Sequence, residues 1–164
     1  MDIPRNAPRA ARRRLLLALA AMPAVLLAAP ALRAAPAVTL YKTPWCGCCA
    51  GWGEHLEEAG FAVTTEMLED LEVIKRMAGV PAELEACHTA RIGEYVVEGH
   101  VPAPAVRRLL AEKPPVRGIA TPGMPAGSPG MPSPQPEPFT VFGFTGEGKI
   151  TPFARFLGDR ELPL

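Results

Sequence analysis

The chain has no surplus of charge: 17 lysines and arginines stand against 17 aspartates and glutamates in 164 residues. That balance gives no electrostatic footprint for a nucleic acid partner. It also lacks an apolar run fit to span a bilayer, since the one candidate, Leu15 to about Ala29, is short and interrupted by Pro23. Histidine is scarce, with three residues, and cysteine numbers only four. Any thiol or metal chemistry must therefore be concentrated, and it is. Cys46, Cys48 and Cys49 fall within four residues of one another.

The short apolar run has a meaning of its own. It follows Arg12-Arg13-Arg14 and ends near the small residues around Ala31 to Ala34. Basic segment, apolar segment and small-residue site make the three-part layout of an export signal. The sequence thus divides into a cleaved signal, residues 1–35, and a single domain, residues 36–164. The triple arginine also fits a twin-arginine signal beside the ordinary secretory route. The first 34 residues hold six arginines and one aspartate, so the remainder keeps 11 basic and 16 acidic residues, a formal net of −5. No stable membrane association is expected after cleavage. About 130 residues suit one compact domain with a modest core.

Around the cysteines the pattern is strand, turn, helix. Val38-Thr39-Leu40-Tyr41 has strand chemistry. Cys49, Trp52, Leu56 and Ala59 recur at helical steps, with Glu54, Glu57 and Glu58 on the other face. The thiols therefore sit at the start of a helix, where unpaired N–H groups favour thiolate. Phe61 to Met67 reads as a second strand, and Asp70 caps a helix to about Ala78 with Leu71, Ile74 and Met77 on one face. Ala90 to Val101 reads as strand with a turn at Gly93, and Ala105 to Lys113 as a helix opened by Pro102 and Pro104. From Pro114 to Pro138, nine prolines and four glycines in 25 residues predict loop throughout. Phe139 to Phe144 and Lys149 to Phe153 predict a hairpin, with at most one helical turn after it. The fold class is α/β.

Four cysteines in an exported chain suggest disulfides first. The spacing argues against a purely structural role, because adjacent Cys48 and Cys49 could pair only with strain and a Cys46–Cys49 bridge closes too short a loop to stabilise much. Cys46 and Cys49 have the spacing of a thioredoxin-like redox pair, in which Cys46 attacks and Cys49 resolves. A third thiol between them competes for that exchange, whereas three close thiolates suit a soft metal such as Cu(I), several ions included. Further soft donors lie at Cys87-His88 and on the proline-rich loop, where Met124 and Met131 each close a Pro-Gly-Met unit. Met67 and Met77, on periodic faces, read instead as core. His100 reads as a hydrogen-bonded turn histidine. His55, seven residues beyond Cys48, is roughly 10 Å along the helix and too far to share a metal. Trp52 reads as core and Trp45 as a shield over the thiols.

Four blocks in order, Thr43-Pro-Trp-Cys-Gly-Cys-Cys, Cys87-His-Thr-Ala, Tyr95-Val-Val-Glu-Gly-His-Val-Pro and the run from Gly118 to Met131, resemble the CopG-like periplasmic copper-resistance proteins. The resemblance spans about Val38 to Phe156. It implies a thioredoxin-like fold with a Cys-x-Cys-Cys motif, a periplasmic location, and copper held by thiolates with a role in copper redox handling. It also implies other periplasmic copper-handling proteins as partners. Carried onto this chain, the metal ligands are Cys46, Cys48, Cys49 and Cys87; by the chemistry of the soft donors noted above, His88, Met124 or Met131 complete or cover the site. Relative to thioredoxin, a long insertion at about Gly79 to Pro138 is expected before the final hairpin. The cis-proline facing a thioredoxin site would then be Pro122 or Pro138.

Overall fold

The computed structural model describes residues 34–164, so all but the end of the expected export signal lies outside the described residues. Strand β1 (Ala37–Lys42) leads into helix α1 (Gly47–Glu58), strand β2 (Ala62–Met67) and helix α2 (Glu72–Ala78). A single 3-10 turn, Ala82–Leu84, precedes the hairpin of β3 (Thr89–Ile92) and β4 (Tyr95–Gly99). Helix α3 (Ala103–Glu112) follows, then β5 (Gly118–Thr121), β6 (Phe139–Phe144), β7 (Ile150–Leu157) and β8 (Arg160–Leu162). The eight strands form one sheet in the order β2-β1-β3-β4-β5-β6-β7-β8. β1 pairs parallel with β2 and β4 parallel with β5, and the other neighbours are antiparallel.

The elements form where apolar periodicity meets a face to bury. Cys49, Trp52 and Leu56 are buried on the inner stripe of α1, as their spacing requires. Trp52 and Leu56, with Val106 and Leu109 of α3, join Leu40, Val97, Ile119, Val141 and Phe156 in the main core, on one face of the sheet. Ala78 and Leu84 cover a smaller cluster with Val96, Ala120 and Phe144 on the other face.

Several expectations change. The segment 79–138, expected as an insertion, supplies β3, β4 and β5, three inner strands of the sheet. Within the expected loop, β5 is fully buried between β4 and β6. Its four residues are free of proline, so every ladder N–H survives there. The chain closes with strand β8 in place of a helical turn. There is no cis peptide bond among the described residues, so neither Pro122 nor Pro138 is cis. Met77 is 74% exposed and Met67 63% exposed, so neither is core. On α2 the buried stripe runs through Leu71, Lys75 and Ala78, because Lys75 finds a buried carboxylate partner in Glu98.

Candidate metal centre

Cys46 occupies the N-cap of α1 in extended geometry, and no side chain caps the helix there. The unpaired first-turn N–H groups and the positive end of the helix dipole thus face a sulfur cluster. Cys46 and Cys49 are joined as a disulfide, and Cys48 and Cys87 are free. The Cys48 sulfur lies 3.5 Å from that of Cys46 and 3.9 Å from that of Cys87. The Cys49 sulfur is 3.5 Å from the Cys87 carbonyl oxygen. All four sulfurs lie within 4.8 Å of one another.

A second set of donors overlaps the first at Cys87. The ligand atoms of Cys87, His88 and His100 also lie within 4.8 Å of one another. His100 Nε2 is 3.0 Å from the Cys87 sulfur, while its Nδ1 lies 2.7 Å from the Pro129 carbonyl oxygen. A carbonyl only accepts, so Nδ1 carries the proton and the Nε2 lone pair is turned toward Cys87. That is the tautomer a metal-binding imidazole uses. His88 is fully buried against Trp52, its ring centroid 4.6 Å away, and its Nε2 has no hydrogen-bond partner. Burial holds both imidazoles below their ordinary pKa, so both are neutral and able to ligate at neutral pH. Burial, with Cys48 beside it, pushes the Cys87 thiol up to about 12. The metal-free Cys87 is therefore a protonated thiol, and its S–H points to His100 Nε2 as acceptor.

The proline-rich loop closes the site by backbone approach. Gly130, at φ +81°, lies so close to the first turns of α1 that a Cβ there would sit 2.8 Å from Trp52 N and collide with the Cys48 carbonyl. The same contact sets the Pro129 carbonyl on His100. Met131, next in sequence, is half-buried, and Met124 is 56% exposed.

The structure thus brings Cys46, Cys48, Cys49, Cys87 and His88 together. His55 is engaged elsewhere, its Nε2 accepting the Ala103 N–H at 3.1 Å at the start of α3. Trp45 is 71% exposed, whereas Trp52 is core, its indole N–H bonded to the Val101 carbonyl at 2.9 Å. His100 is hydrogen-bonded as expected, yet its other nitrogen belongs to the cluster. The hairpin could have shown this, since Thr89 pairs with Glu98 and Ala90 with Val97, and the register extended two steps sets Cys87 opposite His100. The donors are cysteine sulfur and neutral imidazole with no carboxylate among them, a set that fits copper and not a hard cation such as magnesium.

The comparisons agree with that chemistry. A family described as "Protein of unknown function, DUF411" matches residues 84–131, which hold Cys87, His88, His100, Met124 and Met131. No curated protein matches the sequence. Two solved structures of the copper resistance protein CopG, its form 2 and form 1, are each 38% identical to this chain at a TM-score of 0.71. They cover 74% and 76% of this chain, which in turn covers 98% and 99% of theirs. The chain belongs to the CopG family of copper resistance proteins.

Proposed function

We propose that this protein is an exported, periplasmic copper-binding protein that serves copper resistance. Cu(I) is held by the thiolates of Cys46, Cys48, Cys49 and Cys87, more than one ion per chain, once the Cys46–Cys49 bridge is reduced. The observation that carries the reading is the gathering of four sulfurs and two neutral imidazoles at one end of the sheet. His88, with an orphaned buried nitrogen, and His100, with its lone pair facing Cys87, complete the donor set. Met131 and Met124 add thioether sulfur, which binds Cu(I) without adding charge. Copper bound there supplies one-electron chemistry. The chain's own part is to exclude water around Trp52 and to give up the Cys87 proton when the metal enters. Other periplasmic copper-handling proteins deliver or take the ion.

The thioredoxin-like reading draws support from the first half of the chain. β1, α1, β2, α2, β3, β4 and α3, in the sheet order β2-β1-β3-β4, place paired cysteines at the head of α1 behind a strand. Strands β5 to β8 then extend that core. Among the described residues no helix is long and apolar enough to cross a membrane, and residues 1–35 are assigned as the export signal.

A second reading, thiol–disulfide oxidoreductase, is favoured by one observation, the Cys46–Cys49 disulfide at the head of α1. One anaerobic sample, reduced and freed of metal, separates the two. Copper uptake above one ion per chain, lost in C46S/C48S/C49S, supports the copper site. Unchanged stoichiometry in that triple variant refutes it. Dithiol turnover that needs Cys46 and ignores Cys48→Ser establishes the redox enzyme.

A further inference from the structure

Behind the sulfur cluster lies a buried ion pair that the copper reading does not use. Lys75 of α2 and Glu98 of β4 face each other, both buried, 23 residues apart in sequence. Their remaining bonds converge on one short stretch. Glu98 Oε1 accepts the Ala86 N–H at 2.7 Å, and Lys75 Nζ donates to the Ala86 carbonyl at 2.8 Å. On the other side, the Thr89 hydroxyl donates to Glu98 Oε2 at 2.7 Å and accepts from Lys75 Nζ at 3.3 Å. The two residues enclosed are Cys87 and His88.

The β3–β4 ladder ends at the Thr89–Glu98 pair, so Cys87 and His88 lie beyond the regular register. One backbone bond continues past it, Gly99 N–H to the His88 carbonyl at 3.0 Å. Burying two charges is costly, and an apolar pair of similar volume generally gives equal stability. What an apolar pair does not supply is direction: dispersion fills space, whereas two hydrogen bonds hold the Ala86 peptide groups on one side of Cys87 and His88, and two hold the Thr89 hydroxyl on the other. Glu98 also lies two residues before His100, so the same carboxylate ties both arms of the hairpin end.

We propose that the Lys75–Glu98 ion pair is the positioning element of the metal centre, setting the spacing of Cys87 from Cys48 and from His100. This rests on the reading of the cysteine cluster as a copper site. It makes Lys75, Glu98 and Thr89 residues that act through the ligands without touching the metal.

The test uses two ligands, so that the two readings fail separately. Phenylarsine oxide condenses with two neighbouring thiols, losing water, and on the metal-free Cys46–Cys49 disulfide form it reports the spacing of Cys48 and Cys87, 3.9 Å apart. Cu(I) retention against a chelator is measured on the reduced form. K75M/E98L replaces the pair by apolar side chains and leaves no lone buried charge. The variant leaves the Ala86 peptide groups and the Thr89 hydroxyl without these partners, so it is expected to fold with a lowered thermal midpoint and to release both ligands about tenfold faster, the lower end of the loss seen when outer-shell partners of metal ligands are removed. T89V, which removes one strut, is expected to release both about threefold faster, a fraction of that loss. Parental release of both ligands from a folded K75M/E98L overturns the proposal. Should that variant not fold, parental release from T89V overturns it instead. A parent that takes up no Cu(I) defeats the copper reading, and the arsenical arm still decides the positioning role.

Discussion

Gly130→Ala is the most informative single substitution in the loop, because its cost separates into parts. The first is conformational. Gly130 sits at φ +81°, where an L side chain costs about 1–2 kcal/mol. The second is steric, since the new Cβ would lie 2.8 Å from Trp52 N and overlap the Cys48 carbonyl. Both obstacles are helix backbone and have no rotamer to change, so the loop must retreat by roughly 0.7 Å or more to regain van der Waals distance. A retreat of that size removes the Pro129 carbonyl from His100 Nδ1, now at 2.7 Å, and loses about 1 kcal/mol of hydrogen bonding. The sum is about 3 kcal/mol, or roughly 10 °C in thermal midpoint for a domain of this size. Gly123→Ala is the matched control: Gly123 has φ +72° and nothing within 4 Å of the added carbon. It is expected to show only the conformational part, about 1–2 kcal/mol. Thermal unfolding by circular dichroism reads both variants, and chelator competition for Cu(I) reads the loss of the His100 tether in Gly130→Ala alone. Equal midpoints for the two variants, or parental copper retention in Gly130→Ala, would refute the claim that this loop is seated on α1.

Replacing both Met124 and Met131 with Leu keeps volume and apolarity, so the fold should stay while Cu(I) release to a chelator quickens; parental release and oxidation rates would make these methionines packing only. His55→Ala removes the acceptor of the Ala103 N–H at the start of α3 and should cost about 1 kcal/mol in denaturant unfolding with copper stoichiometry unchanged. A pH series on the metal-free protein tests Cys87. Its thiol is raised from 9.0 to about 12 in the fold, so the unfolded chain loses that proton first as pH rises. The stabilising contribution is complete below pH 9 and should fade between pH 9 and 12. Cys87→Ser should flatten that part of the curve, and an unchanged slope would remove Cys87 as its source.

The cysteine motif, α1, the β3–β4 hairpin and α3 were legible because each is a local pattern: a run of β-branched residues, a three-and-four spacing, a glycine turn, a proline opening. Strand β5 was hidden because its four residues are outnumbered by the prolines around them, and no local count weighs a gap between prolines. The inward turn of Lys75 was illegible for a different reason, since a lysine is buried only when a partner waits for it, and Glu98 is 23 residues away. Met77 lost its expected place in the core as a direct result. His100 was within reach of sequence reasoning, because extending the hairpin register would have set it across from Cys87. Trp45 follows the opposite logic: its place beside the thiols was legible, but which way its ring points is decided by tertiary packing.

The donors come from the head of α1, the approach to β3 and the exit of β4, and the loop around Pro129 buttresses them. No stretch of chain carries the complete set, so it exists only while the whole domain is folded. Occupancy and folding are then one equilibrium, and an ion held at a hundred times its dissociation constant adds about 2.7 kcal/mol to the folded state. On the proposed copper reading, a chain starved of the ion would open more often and meet proteases more often than a loaded one. If the cluster holds copper as proposed, the amount of this protein that survives would be tied to the metal it meets, with no sensor required beyond its own stability.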